Sequence, residues 1–167
     1  MPQRILVADA DAVSREFVTS HLAEAGWAVT AVSDGASALA EVQARRPHLV
    51  VLDLALPEIS GIEICRRVRY GAETATLPLV VVSAYASELD RVVAFEIGVD
   101  DFIEKGCSGR ELVLRVRAVL RRSLPQRARA AQRLTAGPLV VDLERHRVTV
   151  AGREITLTPL EFKLLVF

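Results

Sequence analysis

Leu49-Val50-Val51-Leu52-Asp53-Leu54-Ala55-Leu56-Pro57 decides how the rest of the chain is read. Four apolar residues run into an acid with no polar residue between them. Such an unalternated run reads as a strand buried on both faces, the pattern of a parallel sheet covered by helices. Asp53 then stands at the carboxyl end of that strand, where open parallel sheets gather ligands and chemistry.

Working outward, the flanking segments repeat the theme. Arg4-Ile5-Leu6-Val7-Ala8 reads as a first strand ending in Asp9-Ala10-Asp11. Helical spacing follows at Val13, Phe17, Leu22 and Ala25, with Gly26 as a stop. Residues 27–32 read as a second strand, and Asp34-Gly35 opens a helix that runs to Arg46 before Pro47. Ser60-Gly61-Ile62-Glu63 is a capping box, so a helix starts there. Residues 77–83 read as a fourth strand. Ser87 caps a helix carrying Leu89, Val92, Val93 and Ile97, stopped by Gly98. Residues 99–103 read as a fifth strand. Ser108-Gly109-Arg110-Glu111 is a second capping box, before a helix with Leu112, Val116, Val119 and Leu120 on one face. Five strands alternating with five helices predict an α/β fold with a doubly wound, right-handed parallel sheet.

From residue 123 to 137 the composition turns to Ala, Arg and Gln and reads as a linker. Beyond it the period switches. Leu139-Val140-Val141, Val148-Thr149-Val150 and Ile155-Thr156-Leu157 read as short strands, with turns at residues 143–147 and at Ala151-Gly152. Thr158-Pro159-Leu160-Glu161 is a third capping box with Pro at the first helical position. The expected domains are 1–122, a linker 123–137 and a small antiparallel unit 138–167.

Composition narrows the class. The chain is 51% hydrophobic and 25% charged, as a globular protein is, and its 21 basic and 21 acidic residues cancel. There is thus no global pull toward nucleic acid or an anionic membrane. No apolar run approaches the ~20 residues of a membrane span, and the N-terminus lacks a signal-peptide pattern. Cys65 and Cys107 imply neither a disulfide framework nor a zinc site, so a cytoplasmic location is expected. Lysine is scarce, with Lys105 and Lys163 against a background of arginine. A lysine in that background hints that a compact ammonium was wanted.

Acids at two strand ends (Asp9 and Asp53), a hydroxyl at a third (Ser83) and Lys105 after a fifth form a set. Clustered carboxylates attract a hard divalent cation, and a carboxylate can act as a nucleophile toward phosphorus. A cation, an ammonium and a hydroxyl would neutralise the equatorial oxygens in phosphoryl transfer. The competing reading is that such acids only cap helices, as Asp11 can.

Four segments carry a resemblance: Ile-Leu-Val-Ala-Asp, Leu-Asp-Leu-Ala-Leu-Pro-Glu-Ile-Ser-Gly, Val-Val-Ser-Ala and Gly-Val-Asp-Asp-Phe-Ile-Glu-Lys. With them, residues 3 to about 122 resemble the receiver domain of bacterial two-component response regulators, a flavodoxin-like (βα)5 fold. Residues 138–167, with Leu-Thr-Pro-Leu-Glu-Phe-Lys-Leu-Leu, resemble the start of an OmpR/PhoB-type winged-helix DNA-binding domain. The resemblance implies a phosphorelay regulator of transcription rather than an enzyme, partnered by a sensor histidine kinase. It implies Asp53 as phosphoacceptor, Asp9 and Asp53 with the Ala55 backbone carbonyl as Mg²⁺ ligands, and Lys105 on the phosphoryl oxygens. Ser83 and Phe102 fall at the switch positions. Arg91, Asp100, Asp101, Glu111 and Arg115 fall on the homodimer face, with Arg91 facing Glu111 and Asp101 facing Arg115 across a two-fold axis.

Three departures qualify this. The second acid of the family's pair, a direct Mg²⁺ ligand, is Ala10 here, so Mg²⁺ binding is expected to be weak or absent. The family's Lys-Pro is Lys105-Gly106, so a trans peptide is expected. Phe102 replaces the commoner Tyr. Lys105 can then hold Asp9 and Asp53 in a salt-bridged state, and the alternative function is an unphosphorylated receiver acting as a dimerisation or protein-interaction module. A small flavodoxin-like enzyme is the other rival, but the strand-end loops lack a Gly-rich phosphate cradle. His21, His48 and His146 read as structural, Cys65 as core and Cys107 as exposed. The linker arginines Arg127, Arg129 and Arg133 read as solvated. A recognition helix lies beyond residue 167 in the family, so sequence-specific DNA binding is expected of a longer form and not of these residues alone.

Overall fold

The computed structural model describes the chain except residues 1, 85–86, 124–132, 143–146, 156, 158–160, 162–164 and 166–167. It divides into two units, Met1–Ser123 and Leu124–Phe167. The first alternates β1 (Arg4–Ala8), α1 (Ala12–Glu24), β2 (Ala28–Val32), α2 (Gly35–Arg45), β3 (Leu49–Leu52), α3 (Gly61–Tyr70), β4 (Leu79–Ser83), α4 (Glu88–Ile97), β5 (Asp101–Glu104) and α5 (Gly109–Ser123). Its five strands are all parallel, in the order β2-β1-β3-β4-β5. The order reverses between β1 and β3, so the crevice of a doubly wound sheet opens at their carboxyl ends.

β3 shows why the unalternated run was needed. Val50 and Leu52 point into one core with residues of α2, α3 and α4. Leu49 and Val51 point into the other, with residues of α1 and α5. All four are at most 1% exposed, and fully burying each contributes roughly 1.5–3 kcal/mol.

Capping sets the helix starts. Asp11, Asp34, Ser60 and Ser87 each accept a backbone N–H three residues on. At α4 the box closes in both directions between Ser87 and Asp90. At Ser60 and Ser108 the glutamates turn away: Glu63 pairs with Arg67 and Glu111 with Arg115, each at 2.9 Å. An i,i+4 arginine competes successfully with the backbone for these carboxylates.

Two helix faces differ from the sequence reading. On α1 the buried residues are Val18 and Leu22, with Ser14 half-buried one turn before them, a stripe one position away from the expected Val13 and Phe17, which stay exposed. Phe17 instead packs its ring against His21, at a centroid distance of 4.4 Å. On α4, Leu89, Val92 and Phe95 are exposed and Ala94 is the buried residue. A small side chain is what lets this helix lie close to the sheet.

Strand limits also shift. β2 and β4 start later than expected, and β5 is Asp101–Glu104 rather than 99–103. Arg69 accounts for the last shift. Its guanidinium donates to the carbonyls of Gly98, Ala75 and Leu77 and to Asp100 Oδ2 (2.9 Å), while Asp100 accepts the Leu79 N–H. This clamp fixes the turn into β5 before the ladder begins.

The second unit is an antiparallel sheet in the order β6 (Arg133–Ala136), β7 (Leu139–Asp142), β8 (Arg147–Val150) and β9 (Arg153–Ile155). β6 corrects the linker assignment of residues 133–136. Its pairing with β7 across Gly137-Pro138 (Gly137 at φ +60) depends on a partner that composition does not show. Ala151 and Gly152, both at positive φ, make the tight β8–β9 turn. β9 begins at Arg153, two residues before the expected Ile155, and Thr156 falls outside the described residues. Val141 and Val148 form this unit's core with Leu139 and Leu157. Thr158, Pro159 and Leu160 of the third capping box, His146, and Arg127 and Arg129 fall outside the described residues.

Candidate functional site

The carboxyl ends of β1, β3, β4 and β5 bring the polar residues together. The Asp53 N–H donates to the Ala8 carbonyl at 2.9 Å, so the acid's backbone prolongs the central ladder and its side chain starts the crevice. Gly61 secures this end from α3. A Cβ there would strike the Asp53 carbonyl and lie 2.7 Å from Leu54 Cα, so only glycine lets α3 approach the strand end. Behind it, the Ile59 N–H closes a three-residue turn on the Pro57 carbonyl at 2.8 Å, with Glu58 at φ +65.

Asp9 (3% exposed) and Asp53 (7%) are buried acids, and Lys105 lies across both. Its Nζ is 2.7 Å from Asp53 Oδ2 and 2.9 Å from Asp9 Oδ2. Burial pushes the Lys105 ammonium down. The hydrogen bonds and charges of Asp53 and Asp9 outweigh this and hold it above the ordinary lysine range. The Lys105–Gly106 peptide is trans, and Gly106 takes φ +98. The Lys105 N–H donates to the Ser83 carbonyl at 3.0 Å, which ties the lysine to the end of β4. Ser83 itself is buried. Phe102, on β5, is buried with the Arg91 guanidinium 5.1 Å from its ring centroid.

Two contributors were not picked out in the sequence. The Ser14 hydroxyl donates to Asp9 Oδ2 at 2.6 Å, and Arg15 donates to the Asp9 carbonyl at 2.7 Å. Asp9 Oδ1 also accepts the Asp11 N–H at 2.9 Å. Asp11 turns its own side chain to the Ser14 N–H as the α1 cap. The signal for Ser14 is a hydroxyl one helical turn past that cap.

The donor set bears on Mg²⁺, which needs near-octahedral oxygen coordination. Ala10 offers an exposed methyl. Both Asp9 oxygens are engaged by protein donors, and the Lys105 ammonium sits on both carboxylates. The Ala55 N–H faces Asp53 Oδ1 at 3.3 Å. Among the described residues no group of three or more His, Cys, Asp or Glu side chains is placed to hold a metal ion. As arranged, the pocket does not fit a tightly held Mg²⁺.

The five residues expected at a dimer face are partnered within the chain. Arg91 pairs with Glu104 at 2.6 Å, Arg115 with Asp101 (3.3 Å) and Glu111 (2.9 Å), and Asp100 with Arg69. Cys65 is buried in the core, and desolvation pushes its thiol up to about 12. Cys107 is half-buried against the α1–α5 core rather than exposed. His48 accepts the Arg4 N–H, and His21 bonds the Phe17 carbonyl.

An acid pair bridged by a lysine at the switch point of a (βα)5 sheet defines a receiver domain, and comparison with known proteins agrees. The family model described as the response regulator receiver domain matches residues 5–117. The DNA-binding response regulator MtrA of Mycolicibacterium smegmatis is 42% identical over 166 residues, which cover 99% of this chain and 70% of that protein. The crystal structure of the response regulator DrrB, an OmpR/PhoB homologue of Thermotoga maritima, matches with a TM-score of 0.65 and 28% identity. That match covers 100% of this chain and 72% of DrrB. The receiver domain of a Francisella response regulator matches at 0.67 and 27%, covering 73% and 99%. The chain belongs to the response regulator family, and within it to the OmpR/PhoB type. Among the described residues no helix is long and apolar enough to cross a membrane.

Proposed function

We propose that this chain regulates transcription as a two-component switch, with Asp53 accepting a phosphoryl group from a histidine of a sensor kinase. The observation that carries the reading is the Lys105 ammonium on the buried Asp53 carboxylate at a strand end. In the step, an Asp53 carboxylate oxygen forms the P–O bond as the P–N bond to the donor imidazole breaks, its electron pair returning to nitrogen. Lys105 then neutralises phosphoryl oxygens. Ser83, tied to Lys105 through its carbonyl, and Phe102, beside Arg91, carry the change to the α4–β5–α5 face, through which two copies pair. The chain acts as a switch rather than an enzyme. DNA is the target, as the name of the DNA-binding MtrA relative suggests, through a winged-helix domain of which the β6–β9 sheet is the start.

Ala10 and the engaged Asp9 favour a second reading: a receiver held in its salt-bridged state that signals by dimerisation or by a protein partner. Phosphoramidate treatment with and without MgCl₂, followed by intact mass, separates the two. Gain of one phosphoryl group that Asp53→Asn abolishes supports the switch. No gain under either condition sinks it in favour of the second reading.

A further inference from the structure

Both oxygens of Asp9 are already taken by protein donors. Asp9 Oδ2 receives both the Ser14 hydroxyl and the Lys105 ammonium, and Asp9 Oδ1 receives the Asp11 N–H. Lys105 meets Asp53 on the same flank. Asp9 therefore anchors Lys105 rather than waiting for a ligand, and Ser14 fixes Asp9 in that pose. The residue that would add a further carboxylate is Ala10, exposed beside the pocket.

We propose that Lys105, anchored by Asp9 and Ser14, takes the place of the divalent cation, so that this receiver pocket holds its acid pair together without one. The charge argument is local. Among the side chains in direct ionic contact, Asp9 and Asp53 carry two negative charges and Lys105 returns one positive charge; at the rim, Asp11 and the Arg15 guanidinium, which donates to the Asp9 carbonyl, offset each other. A divalent ion entering between the carboxylates would meet the ammonium at close range, at a pair of buried acids where screening is weak. To bind, it would have to displace Lys105 from both acids and Ser14 from Asp9. An acid at the exposed position 10 would add one negative charge and an oxygen ligand next to Asp9 in the chain. This inference rests on the receiver reading of Asp9, Asp53 and Lys105, but not on phosphorylation itself.

Calorimetric titration of MnCl₂ and MgCl₂ into the full chain tests it, with Ala10→Asp and Lys105→Met as paired variants. Wild type is expected to show no saturable heat. Ala10→Asp is expected to gain one-site binding at least roughly tenfold tighter than any wild-type signal, as the gain of a direct ligand should exceed typical outer-sphere effects. Lys105→Met is expected to gain binding too, because it vacates the flank between the acids. A thermal melt at matched ionic strength should rise with MgCl₂ for the variants and stay fixed for wild type. Saturable wild-type binding as tight as that of Ala10→Asp overturns the proposal, as does a Lys105→Met chain that stays silent. Phosphoramidate labelling in EDTA separates this from the proposed function. Labelling that is unchanged by EDTA supports cation replacement, and labelling that requires MgCl₂ overturns it. Absence of labelling in both, with the calorimetry as expected, refutes the acceptor role of Asp53 and upholds Lys105 as the resident cation.

Discussion

Replacing Lys105 by Met removes the ammonium and leaves two buried carboxylates facing each other with no counter-charge. A unit charge pair at ~4 Å is worth about 4 kcal/mol at an effective dielectric near 20. Lys105 keeps 17% side-chain exposure, and its own desolvation offsets part of the attraction. The expected loss is therefore about 2–3 kcal/mol, below the ~3–5 kcal/mol of a fully buried pair broken from one side. Urea unfolding followed by far-UV circular dichroism measures it, in a double-mutant cycle of Lys105→Met against Asp53→Asn. The coupling should be about 1.5–2.5 kcal/mol, since Asp9 retains part of the interaction. The pH dependence follows from the raised Lys105 pKa in the folded chain. A raised folded value means that the stabilisation is complete below the unfolded lysine value of about 10.4 and is lost as pH rises through the higher folded one. The gap between wild type and Lys105→Met should be flat near neutrality and close only in strong alkali. A coupling under ~0.5 kcal/mol, within the scatter of independent sites, would refute the argument that Lys105 holds the acid pair.

Arg69→Ala should cost about 2 kcal/mol in thermal or urea unfolding, because it strips partners from half-buried carbonyls of Leu77 and Gly98 and from Asp100; a loss below about 0.5 kcal/mol would contradict the clamp. Gly61→Ala should cost about 1–3 kcal/mol by forcing α3 away from the Asp53 carbonyl, and an unchanged melting temperature would show that α3 does not approach as closely as described. A thiol reagent at neutral pH should label Cys107 slowly, since burial raises its pKa, and Cys65 only on unfolding; comparable native rates at the two thiols would contradict the burial of Cys65. Arg115→Glu should weaken self-association measured by sedimentation if α5 lies at the dimer face, and unchanged association would remove Arg115 from that interface.

Much of the fold was legible because it depends on burial pattern and local capping. β3 and β4 are buried on both faces, so their residues carry no polar alternation, and short Val-rich runs of strand length identify them. Asp34, Ser60, Ser87 and Ser108 announce helix starts through bonds made within three residues. The faces of α1 and α4 were less legible. Val13 and Phe17 obey helical spacing as well as Val18 does, and only the packed sheet decides which stripe it covers. β6 was hidden for the same reason: Arg-Leu-Thr-Ala becomes a strand because β7 lies beside it.

For the site, the sequence by itself determined the inventory. Asp9, Asp53, Ser83 and Lys105 stand at strand ends, and a methyl stands at position 10. Those facts follow from the order of residues and from the alternation of strands and helices. Only the tertiary structure decided how the inventory is used. It brings Lys105 onto two carboxylates that lie far away along the chain, spends both Asp9 oxygens on Ser14, Asp11 and Lys105, and draws Asp100 into the Arg69 clamp. Long-range electrostatics depends on which side chains share a crevice, and that is fixed by the strand order β2-β1-β3-β4-β5 rather than by any spacing along the chain.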